Sequence, residues 1–188
     1  MQSLFYYHKP CLHPFRSMME LSDQDIINFM ISNIPDDAIF HKNPERYIQR
    51  RKETEKWLYQ SFHALGGTPA TIHPIYMTLG ASSYIESTGH YNARHEFPLS
   101  LFPKSVVSFT YPDSYVSRLL AEKPNEYFNP KFHGKVFTMS ELGRLLEDPS
   151  VHNEAWRSEK RKYDFFIEAQ IWDVQAILKT KAGQVARI

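Results

Sequence analysis

Residues 163–172 read YDFFIEAQIW, an aromatic and β-branched run with Glu168 and Gln170 inside it. Such a run reads as a strand late in the chain. Side chains alternate across a strand. Phe165, Ile167, Ala169 and Ile171 therefore share one face, and Phe166, Glu168, Gln170 and Trp172 share the other. The first face is wholly apolar. The second holds a carboxylate and a carboxamide among aromatic rings, and what covers it decides both fold and function.

Three other segments read as strands beside it: HPIYMTLG (73–80), SVVSFTY (105–111) and GKVFTM (134–139). The same sorting sets Ile75, Met77 and Leu79 opposite Tyr76 and Thr78, and Val107, Phe109 and Tyr111 opposite Ser108 and Thr110. Solvent-facing strands favour charged residues. A set of Tyr, Thr, Ser, Glu, Gln and Trp instead suits a ligand cleft with a few polar groups among aromatics.

The first third of the chain has a different character. LFYYH (4–8) reads as a short strand. A helix capped by Ser22 follows, with Asp23 and Asp25 in its first turn, an apolar stripe of Ile26, Ile27, Met30 and Ile34, and Pro35 as its stop. A second helix is expected from Asn43 to Leu65, with Pro44 at its first position, Gly66 and Gly67 at its end, and Trp57, Leu58, Phe62 and Leu65 toward a core. Its middle, RYIQRRKETEK (46–56), is either a solvated charged face or a phosphate-binding patch. Short helices are expected at DSYVSRLLAEK (113–123) and SELGRLLED (140–148), opened by Asp113 and Ser140 as caps. The stretch from Ser87 to His95 reads as a mobile loop. Helices first and strands later, without βαβ alternation, predict one α+β domain over residues 1–188. It is helix-rich over 1–67 and strand-rich over 68–188, around a mixed or antiparallel sheet.

The bulk properties bound the function. Net charge is +1, so no global field points to nucleic acid or membrane. No apolar run approaches a membrane span. The opening MQSLFYYHKP lacks the basic and apolar regions of a signal peptide, and the single cysteine, Cys11, suits a reducing compartment, so a cytoplasmic protein is expected. There is no G-x-G-x-x-G, no Walker A loop, no H-E-x-x-H and no G-x-S-x-G. The nine histidines have no zinc-like spacing, so no metal site is expected.

The order of segments resembles the ADP-ribosyltransferase fold, and among its members the DarT-type enzymes that modify nucleic acid. A first strand ends in Tyr7–His8, and a helix and a basic stretch follow. Then come an aromatic strand, PIYMTLGASSY (74–84), and a late strand with Glu168 followed by Ala-Gln-Ile. The resemblance spans most of the chain through short patterns. It implies a split sheet, NAD bound as substrate between its halves, and Glu168 as the catalytic residue. It implies that His8 contacts the nicotinamide ribose and that Tyr76 lies near the nicotinamide. Ser108 and Thr110 would stand on a central strand, and Gln170 would join this NAD-binding set. Arg50 or Arg51 would replace the arginine found before the aromatic strand in that family, with Arg16 or Arg94 as alternatives because the intervening loop is longer here.

A nucleic-acid acceptor, DNA or RNA, would meet Arg46, Arg50, Arg51 and Lys52. The biology implied is a toxin checked by an antitoxin protein or serving phage defence. Two other readings stay open: a non-enzymatic interaction module, and an RNA-end-processing transferase on the same fold. The module has no need to bring Glu168 to the face of Tyr76, Ser108 and Thr110.

Overall fold

The computed structural model describes residues 2–9, 15–33, 42–179 and 185–187. Seven strands form one sheet: β1 (Ser3–His8), β2 (Ile75–Leu79), β3 (Ala93–Pro98), β4 (Val107–Thr110), β5 (Phe137–Thr138), β6 (Glu168–Ile171) and β7 (Val185–Arg187). Their order is β5-β4-β6-β2-β1-β3-β7, and every neighbouring pair is antiparallel. The helices are α1 (Asp23–Asn33), α2 (Pro44–Ala64), α3 (Ser83–Ser87), α4 (Ser114–Glu122), α5 (Leu142–Glu147) and α6 (Val174–Lys179), with short 3-10 turns between elements. The class is α+β.

The expected strand at 163–172 is shorter than its composition suggests. Only Glu168–Ile171 pairs on both sides, with β2 and with β4. Before it, the Ile167 carbonyl still accepts from Leu79 N at 2.9 Å, but its N–H is taken by the Asn153 side chain at 2.9 Å, and the ladder ends there. Phe165 and Phe166 therefore lie outside the strand, where Phe165 stacks on Tyr84 at 4.1 Å.

One seam of the sheet is weak. β1 and β3 share six registered pairs, whereas β1 and β2 share only Leu4↔Leu79 and Phe5↔Thr78. The strands part beyond these pairs, so Tyr76 on β2 and Tyr7 and His8 on β1 have no partners across the seam. The sheet is nonetheless continuous through this seam, so the two separate halves that the resemblance implies are not seen.

The register defines two faces. On one, Leu4, Ile75, Met77, Leu79, Phe97, Val107, Phe109, Ala169 and Ile171 pack with Leu142, Leu145 and Ile177 from α5 and α6. On the other, Trp172, just past β6, packs with Leu58 and Phe62 of α2 and with Val136, and Phe62 stacks on Trp172 at 5.9 Å. α1 packs against α2 through Ile26, Met30 and Ile48, joined by Met19 from the 3-10 turn before α1. Burying each of these larger side chains contributes about 1.5–3 kcal/mol.

Several local expectations need correction. Asn43 caps α2 as expected, its Oδ1 accepting from Arg46 N at 3.0 Å, and Asp113 caps α4 through Val116 N at 3.1 Å. Ser140 caps nothing: α5 begins after Glu141, whose carboxylate instead accepts from Thr138 N and Oγ1. Leu65 is 46% exposed rather than core, because it follows the last helical turn. β3 begins inside the stretch read as a loop, with Ala93, His95 and Phe97 buried on alternate positions. Ile34 and Pro35 lie outside the described residues.

Candidate functional site

The face of β6 bearing Glu168 is a buried polar layer. Across it, Thr78 registers with Glu168 and Glu168 with Thr110, while Tyr76 registers with Gln170 and Gln170 with Ser108. Alternation from the quoted run thus brings Glu168, Gln170, Tyr76, Ser108 and Thr110 together. Ser108, Thr110 and Gln170 are fully buried, and Glu168 is 5% exposed.

Buried polar groups need partners, and here their order is directional. The Trp172 indole can only donate, and its Nε1 gives to Ser108 Oγ at 2.8 Å. Ser108 Oγ then donates to Gln170 Oε1 at 2.7 Å. That fixes the carboxamide, so Gln170 Nε2 donates to Thr110 Oγ1 at 3.1 Å and to Glu168 Oε1 at 2.8 Å. Ser114 N, at the start of α4, gives Oε1 a second hydrogen bond at 3.1 Å. Each donor polarises the next, and the chain ends on the carboxylate. Among the described residues, no hydrogen bond reaches Glu168 Oε2.

Helix α2 lays charge over this layer. The Arg51 guanidinium stacks 4.0 Å from the Tyr76 ring centre, and its Nε is 3.7 Å from Glu55 Oε1. Burial works against the guanidinium charge, but Tyr76, Tyr47, Glu168 and Glu55 around it raise its pKa further above the ordinary arginine value. Glu55, 2% exposed, also accepts from Tyr76 OH at 3.0 Å and meets His73 Nδ1 at 2.5 Å. Burial pushes the Tyr76 hydroxyl well above its ordinary range, so it stays a neutral donor.

Asp113 is the member that the sequence reading missed as a site residue. It was seen only as a cap. Its Oδ1 serves that cap, while Oδ2 is buried with no hydrogen-bond partner, as is the neighbouring Ser114 Oγ. Burial, and then the charge of Glu168, push the Asp113 carboxyl up to about 7. The signal available in the sequence was Thr110–Ser114, TYPDS, which runs a polar-faced strand directly into a helix cap.

His8 does not join this site. It shares a face with Leu4 and Tyr6, opposite to Glu168, because Leu4 registers with Leu79 and Thr78 with Glu168. Its ring stacks on His95 at 4.9 Å, and its Nε2 is buried without a partner. Of the four arginines considered for the NAD contact, only Arg51 reaches the layer. Arg16 pairs with Glu20 and Arg94 with Glu86. Arg50 lines a shallow open groove between α2 and α4 with Glu53, Thr54, Tyr115 and Arg118. The basic stretch is therefore not one patch: Arg46 is exposed, Arg51 turns inward, and Lys52 is tied to Asp23 of α1 at 2.5 Å.

Among the described residues, no group of three His, Cys, Asp or Glu side chains is placed to hold a metal ion. No described helix is long and apolar enough to cross a membrane. Compared with protein-family models, with curated proteins and with solved structures, the chain matches none of them.

Proposed function

We propose that this protein is a mono-ADP-ribosyltransferase that uses NAD as substrate and modifies nucleic acid, acting as a toxin in a toxin–antitoxin or phage-defence system. One observation carries the reading. Glu168 is buried on a central strand, with Oε1 held by Gln170 and Ser114, in one layer with Tyr76 and Arg51 and beside the seam where β1 and β2 part. A passive surface strand would have no reason to assemble that set. An interaction module would be better served by a Glu168 turned away from these groups.

The residues fit the substrate. Ser114 Oγ is a buried polar atom still lacking a partner among the described residues, which suits a ligand rich in hydroxyl groups. Arg51, stacked on the Tyr76 ring, is the cation of the layer that would meet a phosphate. Cleavage of the ribosyl–nicotinamide bond develops positive charge on the ribose, as in glycoside hydrolysis. Glu168 stabilises that charge through an oxygen already oriented by two donors, so little reorganisation is needed when the charge develops. Thr110 and Ser108 hold Gln170, and Gln170 holds the carboxylate. Glu168 is 5% exposed, so substrate reaches it when a covering side chain moves; Arg51 and Tyr47 are its charged and phenolic neighbours from α2.

The test is incubation with labelled NAD and separate DNA, RNA and protein pools, beside Glu168→Gln. Label is expected in a nucleic-acid pool with wild type alone. Label in the protein pool would change the acceptor. Label in none, with no nicotinamide released, would reject the transferase and favour the interaction module.

A further inference from the structure

We propose that Asp113 and Glu168 work as one acid–carboxylate pair, in which Asp113 holds the proton at Oδ2 and Glu168 holds the negative charge. The catalytic consequence rests on the transferase reading above, whereas the sharing of the proton does not.

One helix start serves both carboxyl groups. The first turn of α4 gives Ser114 N to Glu168 Oε1 and Val116 N to Asp113 Oδ1. Glu168 also receives Gln170 Nε2, whose orientation is set by the Trp172–Ser108 chain, so its fixed oxygen faces donors alone. Asp113 has the opposite surroundings. Its Oδ2 is buried without a hydrogen-bond partner; burial and the Glu168 charge work against ionisation more strongly than the Val116 and Tyr115 N–H groups and Arg51 favour it. An ionised oxygen there is costly, whereas a protonated one is itself a donor.

Charge balance points the same way. Three carboxyl groups meet in the layer: Glu55 from α2, Glu168 from β6 and Asp113 from the α4 cap. Facing them are Arg51 from α2 and His73, the latter at Glu55 Oε2. Other titratable neighbours are phenols: Tyr47 from α2, Tyr76 from β2, Tyr84 from α3, Tyr91 just before β3 and Tyr115 from α4. Even with both cations charged, one negative charge is in surplus, and a proton on Asp113 removes it. The upward displacement of the Asp113 carboxyl by burial and by Glu168 agrees with this division.

In the reaction, Asp113 is then a positioning residue. It acts through Glu168, keeping that group anionic, and it does not receive the acceptor's proton.

The pair is tested by following carboxyl carbon NMR shifts from about pH 4 to pH 9 in wild type, Asp113→Asn and Glu168→Gln. One carboxyl is expected to titrate near neutrality in wild type, to be missing in Asp113→Asn, and to titrate at least about one unit lower in Glu168→Gln. An unchanged midpoint in Glu168→Gln would overturn the pair, as would a neutral titration that survives Asp113→Asn. Asn imitates the protonated acid, so Asp113→Asn should keep transfer within about threefold and lose the wild-type decline above neutral pH. A folded Asp113→Asn as inactive as Glu168→Gln would show that Asp113 works ionised, which contradicts the proposal. A wild type that turns over no NAD would reject the transferase, and the carboxyl titration would still decide the pair.

Discussion

Gln170 and Glu168 stand two positions apart on β6, and Gln170 Nε2 lies 2.8 Å from Glu168 Oε1. On one strand face such neighbours point in parallel, so the carboxamide is a rigid prop for the carboxylate rather than a separate binding group. Gln170→Ala leaves Ser108, Thr110 and Glu168 each short of a partner in a fully buried site. It should cost about 1–3 kcal/mol in urea unfolding, more than Thr110→Ala, and should lower transfer through misplacement of Glu168.

Trp172 starts the same chain and fills the contact with Phe62 and Leu58. Trp172→Ala should cost about 3–5 kcal/mol, and Trp172→Phe less, because Phe keeps most of the volume and loses the donor. Equal losses in the two variants would mean that the Ser108 hydrogen bond, and not packing, is what matters.

Glu55 gathers Tyr76, His73 and Arg51. Removing one partner of a buried ion pair is strongly destabilising, and Arg51 keeps some solvent, so Glu55→Ala should cost about 3 kcal/mol by chemical denaturation. Any effect on NAD turnover should appear mainly in KM, through a displaced Arg51.

Asp113 gives stability a pH dependence of known sign. Its folded value, about 7, lies above its ordinary value of 3.8. The favourable contribution of the protonated form is therefore complete below about pH 4 and is lost as pH rises through about 7. Asp113→Asn should be more stable than wild type at pH 8, with the difference shrinking toward pH 4. Thermal unfolding at the two pH values checks this, and a difference that grows toward low pH would refute it.

The basic stretch separates into unequal parts. Arg46 and Arg50 remain available to phosphates, while Lys52 is held by Asp23. Arg46→Gln and Arg50→Gln should each weaken nucleic-acid binding and reduce its logarithmic salt slope by about 1, with Lys52→Gln having the smaller effect.

Alternation made the polar layer legible, because Tyr76, Ser108, Thr110, Glu168 and Gln170 needed only a correct face assignment. The helix caps Asn43 and Asp113 were legible for a similar local reason. Register between distant strands was not. His8 falls on the far face because of how Leu4 meets Leu79, a pairing that nothing within LFYYH encodes. Arg51 was one of several candidate arginines until α2 was docked on the sheet. The strand at 93–98 was hidden because Arg94 and Glu96 dilute an otherwise alternating pattern, and that docking against β1 is again a long-range event.

The central claim is that Glu168 is the catalytic carboxylate of NAD-dependent transfer. The most direct measurement is the single-turnover rate of nicotinamide release by wild type and by Glu168→Gln, with both shown to be folded by their melting curves. The account predicts a rate lower by about 10²–10³-fold in the variant. A folded Glu168→Gln protein that releases nicotinamide at the wild-type rate would contradict it.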